Sequence, residues 1–97
     1  MSVQVHIVDG PVPADTEMEL SAGAGAAVTF DGIVRPREGD RLIDALHYTA
    51  YEPMATSELT RLASEMVAKH GLLALAIWHS RGRVGAGECS MRVIIHA

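Results

Sequence analysis

Ninety-seven residues, 48% of them hydrophobic but with only one Trp, one Phe and two Tyr, make one small domain with an aliphatic core. Eight basic against twelve acidic residues give a formal net charge of −4, which excludes a general nucleic-acid binder, because that needs surplus Lys and Arg to displace counterions. The single cysteine, Cys89, excludes an internal disulfide and fits a reducing cytosol, while the opening MSVQVHIVDG lacks the basic head and apolar run of a signal peptide.

No apolar run approaches the roughly 18–20 residues of a membrane span, so a cytoplasmic chain with no membrane or nucleic-acid partner is expected. Ser2 to Val8 alternates, with Val3, Val5 and Ile7 against Gln4 and His6, and predicts a half-buried strand. The prolines of GPVP end it. Asp15 to Leu20 is expected to form a turn or two of helix capped by Asp15. The run Gly25 to Arg35, GAAVTFDGIVR, then reads as one buried strand that carries an arginine out of the core into a polar loop, Pro36 to Asp40.

Leu42 to Tyr51 predicts a further strand. Pro53 begins the one long helix, about residues 53–70, because a helix start tolerates its missing N–H. Ala55, Leu59, Leu62, Ala63 and Met66 follow the spacing of a core-facing stripe, and Gly71 supplies the stop. Leu72 to His79 is apolar on both faces, as in a central strand. Arg81 to Gly87 reads as a glycine-rich turn, and Glu88 to His96 alternates again, with Cys89, Met91, Val93 and Ile95 on one face. The fold class is therefore α+β: one domain over residues 1–97 with a mostly antiparallel sheet of five strands around one helix. Such a sheet leaves a face or edge uncovered, so a homo-oligomer or a complex with another chain is expected.

Several chemistries can be weighed on these residues. AGAGAA precedes a strand and no lysine follows it, so it predicts close backbone packing rather than a phosphate loop. His6, His47, His70, His79 and His96 lack metal-ligand spacing, although His47 and His79 could meet on paired strands; no metal and no cofactor are expected. Cys89 reads as a buried thiol within an apolar strand. The arginines carry more. Arg35, Arg37 and Arg41 follow one strand and Arg81 and Arg83 another, and the planar guanidinium fork suits phosphate and carboxylate. The alternative is that they are solvated loop charges paired with Glu38, Asp40 and Glu88.

Three stretches add a resemblance. GAAVTFDGIVR (25–35), LIDALHYTAYEPMATSELTRLASE (42–65) and LLALAIWHSRGRVGAGE (72–88) together resemble the large, catalytic subunit of molybdopterin synthase. The resemblance implies an α/β hammerhead fold and a role in molybdenum cofactor biosynthesis. The implied reaction is sulfur transfer, from a thiocarboxylate on the Gly-Gly tail of a ubiquitin-like small subunit to a cyclic pterin phosphate. It also implies pairing of large subunits as a homodimer, and it places Ile33, Val34 and Arg35 on the substrate pocket. Arg37, Arg41, Arg81 and Arg83 are further anion-binding candidates. In that family the chain continues beyond the final strand into a His-Arg pair, a helix and a lysine-bearing segment, whereas Lys69 is the only lysine here. A short form with no complete catalytic set is therefore expected, and the alternative function is a non-catalytic homologue acting as a carrier-binding or oligomeric scaffold module.

Overall fold

A computed structural model describes residues 2–97. In chain order the elements are β1 (Ser2–Asp9), β2 (Ala27–Ile33), β3 (Arg37–Glu38), β4 (Arg41–Leu42), β5 (Ala45–Tyr48), α1 (Met54–His70), β6 (Ala74–Gly85) and β7 (Cys89–His96). Five strands form one sheet in the order β1-β6-β7-β2, with β5 joined to the far half of β6, and β3 and β4 make a separate small hairpin. Only β1 and β6 run parallel, with Val3 opposite Leu75 and Ile7 opposite His79. The other pairings are antiparallel, and the expected α+β class holds.

β6 is the centre because its side chains are apolar in both directions. Leu75 joins Ala63 and Val67 of α1, with Val3, Ile77, Val93 and Ile95 around them. On the opposite face Ala76 and Trp78 pack with Ile94 and with Val12 from the segment after β1. That second face is roofed by irregular chain rather than by helix. The expected helical turn at Asp15–Leu20 does not form, because Arg92 takes the backbone carbonyls of Pro13, Ala14 and Thr16 (3.2, 3.1 and 3.0 Å), fixing that stretch through tertiary rather than helical hydrogen bonds.

β2 is not the buried strand that its residues suggest. It pairs only with β7 and forms an edge of the sheet, leaving Val28 57%, Phe30 58% and Ile33 51% exposed. A β-forming composition specifies a strand but not its place in the sheet. Ahead of it, Gly25 and Ala26 donate their amides to the Ala97 carbonyl (2.8 and 3.0 Å), which is the close backbone packing expected of AGAGAA.

Two other boundaries move for a common reason. The Leu42–Tyr51 strand splits into β4 and β5, while β6 runs straight through the expected glycine-rich turn, because Ala45–Tyr48 zips onto Gly85–Gly82. A partner strand turns RGRVG into ladder, with Gly82 supplying a positive φ of 88°. The turn proper is only Ala86–Glu88.

α1 matches its expected span and stops at Gly71, which adopts the left-handed conformation at φ 63°. Pro53 stands at the cap, and the Glu52 carboxylate accepts the Thr56 amide at 2.9 Å. The buried stripe is rotated from the expected one. Ala63 and Val67 are buried and Ala55 and Leu59 half-buried, whereas Leu62 (44%) and Met66 (45%) remain exposed. The helix sits over β1 and β6, and Leu62 and Met66 lie on its exposed side. In β7 the alternation holds, but the deeper face is Ser90, Arg92, Ile94 and His96. No helix of the described residues is long and apolar enough to cross a membrane.

Candidate anion site and the family of the chain

The β6–β7 turn anchors the arginine-bearing hairpin at both of its stems. Val34 donates its amide to the Glu88 carbonyl (3.0 Å) and accepts the Gly87 amide (2.8 Å). On the other stem, the Asp44 carbonyl accepts the Ala86 amide at 2.9 Å. Pro36 closes the loop by accepting the Ile43 amide, also at 2.9 Å. Gly85 fits this turn because its amide donates to Glu88 Oε1 at 2.7 Å, and a Cβ there would stand 2.6 Å from that oxygen. Residues 34–44 are therefore a short arm held at its root and open at its tip.

The arm carries Arg35, Arg37 and Arg41, all exposed. Arg37 and Arg41 lie on opposite strands one position out of register, with Arg37 opposite Leu42 and Glu38 opposite Arg41. Among the described residues no carboxylate lies within 4.0 Å of any of the three. Glu38 and Asp40 do not take up these charges, and Glu88 is engaged by the Gly85 amide. Arg41 borders a shallow cleft of about 380 Å³ together with Glu38, Leu42 and Asp44.

The second arginine pair behaves differently. Arg81 meets Asp9 across the parallel ladder at 2.9 Å, and Arg83 approaches Asp44 at 3.8 Å. These are the paired loop charges that the alternative reading described, although on other carboxylates. Of the remaining candidates, Ile33 is half-exposed at the end of β2, while Val34 is buried at 2% and tied through its backbone to Gly87 and Glu88. His47 and His79 do not meet: His47 pairs with Arg83 in register, and His79 instead takes the edge of the Tyr48 ring at 5.4 Å. Cys89 is half-buried, its thiol donating to the Met91 carbonyl. No group of three potential metal ligands occurs among the described residues.

One arginine has a prominence that the sequence reading missed. Arg92 is 9% exposed and grips Asp31 with Nε to Oδ1 at 2.7 Å and Nη2 to Oδ2 at 3.2 Å, while Nη1 holds the three carbonyls of the roof segment. The Asp31 hydrogen bonds push its pKa up, against the opposing cost of burial. A charged residue in each of two apolar strands, of opposite sign, was the available signal. At the other end of β7, the buried His96 takes the Ser21 amide on Nδ1 at 3.1 Å, fastening the far end of the same roof.

A fixed arm presenting unpaired guanidinium groups, on this order of strands, can be compared with known proteins. The MoaE protein family matches residues 7–97. The chain belongs to that family. It is 43% identical over 100 residues to the molybdopterin synthase catalytic subunit of Aspergillus niger, covering 99% of this chain and 56% of the relative. The catalytic subunit of Pyrococcus abyssi is 32% identical over 77 residues, covering 79% and 52%. Among solved structures, molybdopterin synthase from Staphylococcus aureus superimposes with a TM-score of 0.84 at 26% identity, over 95% of this chain and 69% of that one. The Helicobacter pylori complex of subunits 1 and 2 of molybdopterin-converting factor gives a TM-score of 0.70 at 26% identity, over 96% and 64%. The chain spans about half the length of the curated relatives that it matches.

Proposed function

We propose that this MoaE chain acts in molybdenum cofactor biosynthesis as the large-subunit scaffold of a molybdopterin synthase. In this reading, sulfur passes from the thiocarboxylated tail of a ubiquitin-like small subunit to a cyclic pterin phosphate. Arg35, with Arg37 and Arg41 beside it, binds the anionic group, either the substrate phosphate or the carboxylate end of the carrier tail. Ile33 borders the pocket, and Val34 sets the direction of Arg35 through its bonds to the β6–β7 turn. The carrying observation is that these guanidinium groups have no protein carboxylate within 4.0 Å on a chain that carries a net charge of −4. An unneutralised cationic cluster on an acidic protein concentrates an anion locally. Arg81 and Arg83, each already paired, assist at most through their field.

The test uses the whole chain with purified thiocarboxylated small subunit and pterin precursor, reading molybdopterin formed and carrier retained. Arg35→Ala is expected to weaken anion binding roughly 10–100-fold, the range for losing charge-assisted hydrogen bonds. Unchanged binding in Arg35→Ala and in the Arg35→Ala/Arg37→Ala/Arg41→Ala triple variant would remove the site.

A second reading is favoured by the β2 edge, which exposes Val28 and Phe30 with its outer hydrogen-bonding groups unpaired. Unguarded apolar edges pair with other chains. In this reading the chain is a carrier-binding or homo-oligomeric scaffold without turnover of its own. Light scattering separates the two: a homodimer that binds carrier but yields no product supports the scaffold, whereas product formation supports the synthase.

A further inference from the structure

Beneath the N-terminal half of α1 lies an open cleft of about 370 Å³ that the arginine arm does not border. Ile7 of β1, Ala50 from the loop before α1, and Met54, Ala55 and Leu59 of the helix form its walls. The volume falls within the roughly 300–1,000 Å³ typical of small-molecule sites. His79 is its half-buried polar side chain, and the other uncharged polar residues that line it, Thr49 and Tyr51, are exposed.

The imidazole of His79 is set in a defined state. Nδ1 lies 2.8 Å from the Ser80 carbonyl, and a carbonyl can only accept, so Nδ1 carries the hydrogen. In the neutral ring Nε2 is then an acceptor. Among the described residues it has no hydrogen-bond partner, yet it is not a fully enclosed orphan, and His79 is one of the residues that line the cleft. The Tyr48 ring stands edge-on to the imidazole at 85° and limits its rotation.

Charge narrows the ligand further. No lysine or arginine lines the cleft, and the one acidic residue, Glu58 at the rim, is exposed and already bridged to Arg61. A phosphate or carboxylate would find no counter-charge here, and a cation would compete with Arg61. We propose that the cleft is a second binding site, for a small uncharged planar heteroaromatic molecule that donates one N–H to His79 Nε2. Apolar walls supply the contact area, and the His79 acceptor supplies orientation. The site is independent of the arginine arm and of the function assigned to it.

Indole is the probe, and 1-methylindole, which keeps the ring but lacks the donor, is its control. Titration of the whole chain is followed through the backbone amide resonances of Ile7, Ala50, Ala55, Leu59 and His79. Indole is expected to shift these amides in a saturable way, with 1-methylindole roughly tenfold weaker for want of one hydrogen bond. His79→Phe should bring indole down to the affinity of 1-methylindole, and Ala55→Met, which fills the cleft from the helix, should abolish both. Equal binding of the two probes, shifts confined to other residues, or saturation only by a tryptophan-containing peptide would each overturn the proposal. The two-probe comparison is made on the unaltered protein, so a variant that fails to fold does not blunt it.

Discussion

Arg92 and Arg35 are the same residue in two settings, both close to strand β2. Arg92 commits its guanidinium to five protein oxygens, two on Asp31 and three on the roof segment. Arg35, beyond the end of that strand, commits nothing to a carboxylate of its own chain. The first is a fastener and the second is available. The difference lies in whether the surrounding backbone leaves donors unmatched, a property that clustering along the sequence does not report.

The largest effect that can break this comparison is Arg92→Ala. It leaves the Asp31 carboxylate and three carbonyls without their donor. Fully buried pairs broken on one side lose about 3–5 kcal/mol, and the side chain of Asp31 is 37% exposed, so water recovers part and about 2–3 kcal/mol is expected in urea unfolding. Arg92→Lys should fare nearly as badly, because one ammonium cannot reproduce the planar fork. A loss below about 1 kcal/mol would mean that the roof holds without its fastener.

Next comes the rotated helix face. Val67→Ala removes buried methyl groups and is expected to cost about 2 kcal/mol, whereas Leu62→Ala, at an exposed position, should stay within about 0.5 kcal/mol. Equal losses would restore the stripe that spacing alone suggested. Both positions fit a helical period, and only the placement of α1 over β1 and β6 separates them.

Arg35→Ala/Arg37→Ala/Arg41→Ala should leave stability within about 0.5 kcal/mol of the parent while anion binding collapses. A marked loss of stability would make these arginines structural after all, and the contrast with Arg92 would disappear. The open tip of the arm, with its root fastened to Val34 and Asp44, is the reason to expect the separation.

The smallest effect is one of pH. The Arg61 side chain, by hydrogen bond and then by charge, holds the Glu58 carboxyl below the usual glutamate range. Its folded pKa is thus lower than its unfolded one. The unfolded state binds more protons, and stability contributed by the pair is present above the glutamate range and lost as pH falls through it. Glu58→Gln should flatten that slope slightly in acid titrations of α1 helicity. High salt should do the same, because the pair is exposed.

The helix, its glycine stop, the alternating strands β1 and β7 and the central character of β6 were legible because each rests on local periodicity. The roof segment was not. Asp15 to Leu20 reads as helix-forming only if the carbonyls around its start are free, and Arg92, far along the chain, takes those of Pro13, Ala14 and Thr16. The arginine arm was legible as a cluster, and its separation from the paired Arg81 and Arg83 was not, since Asp9 and Asp44 reach those two only through strand pairing. The cleft at His79 had no sequence signal, because its walls come from β1, the loop before α1, the helix and β6.

Sequence by itself determined the α+β class and the single long helix, since side-chain period and turn chemistry act within a few residues. Tertiary structure decided which apolar strand is buried and which is an edge, and which arginines are matched. Those outcomes depend on partners that the chain brings together only after it folds, through ladders and carbonyls tens of positions apart.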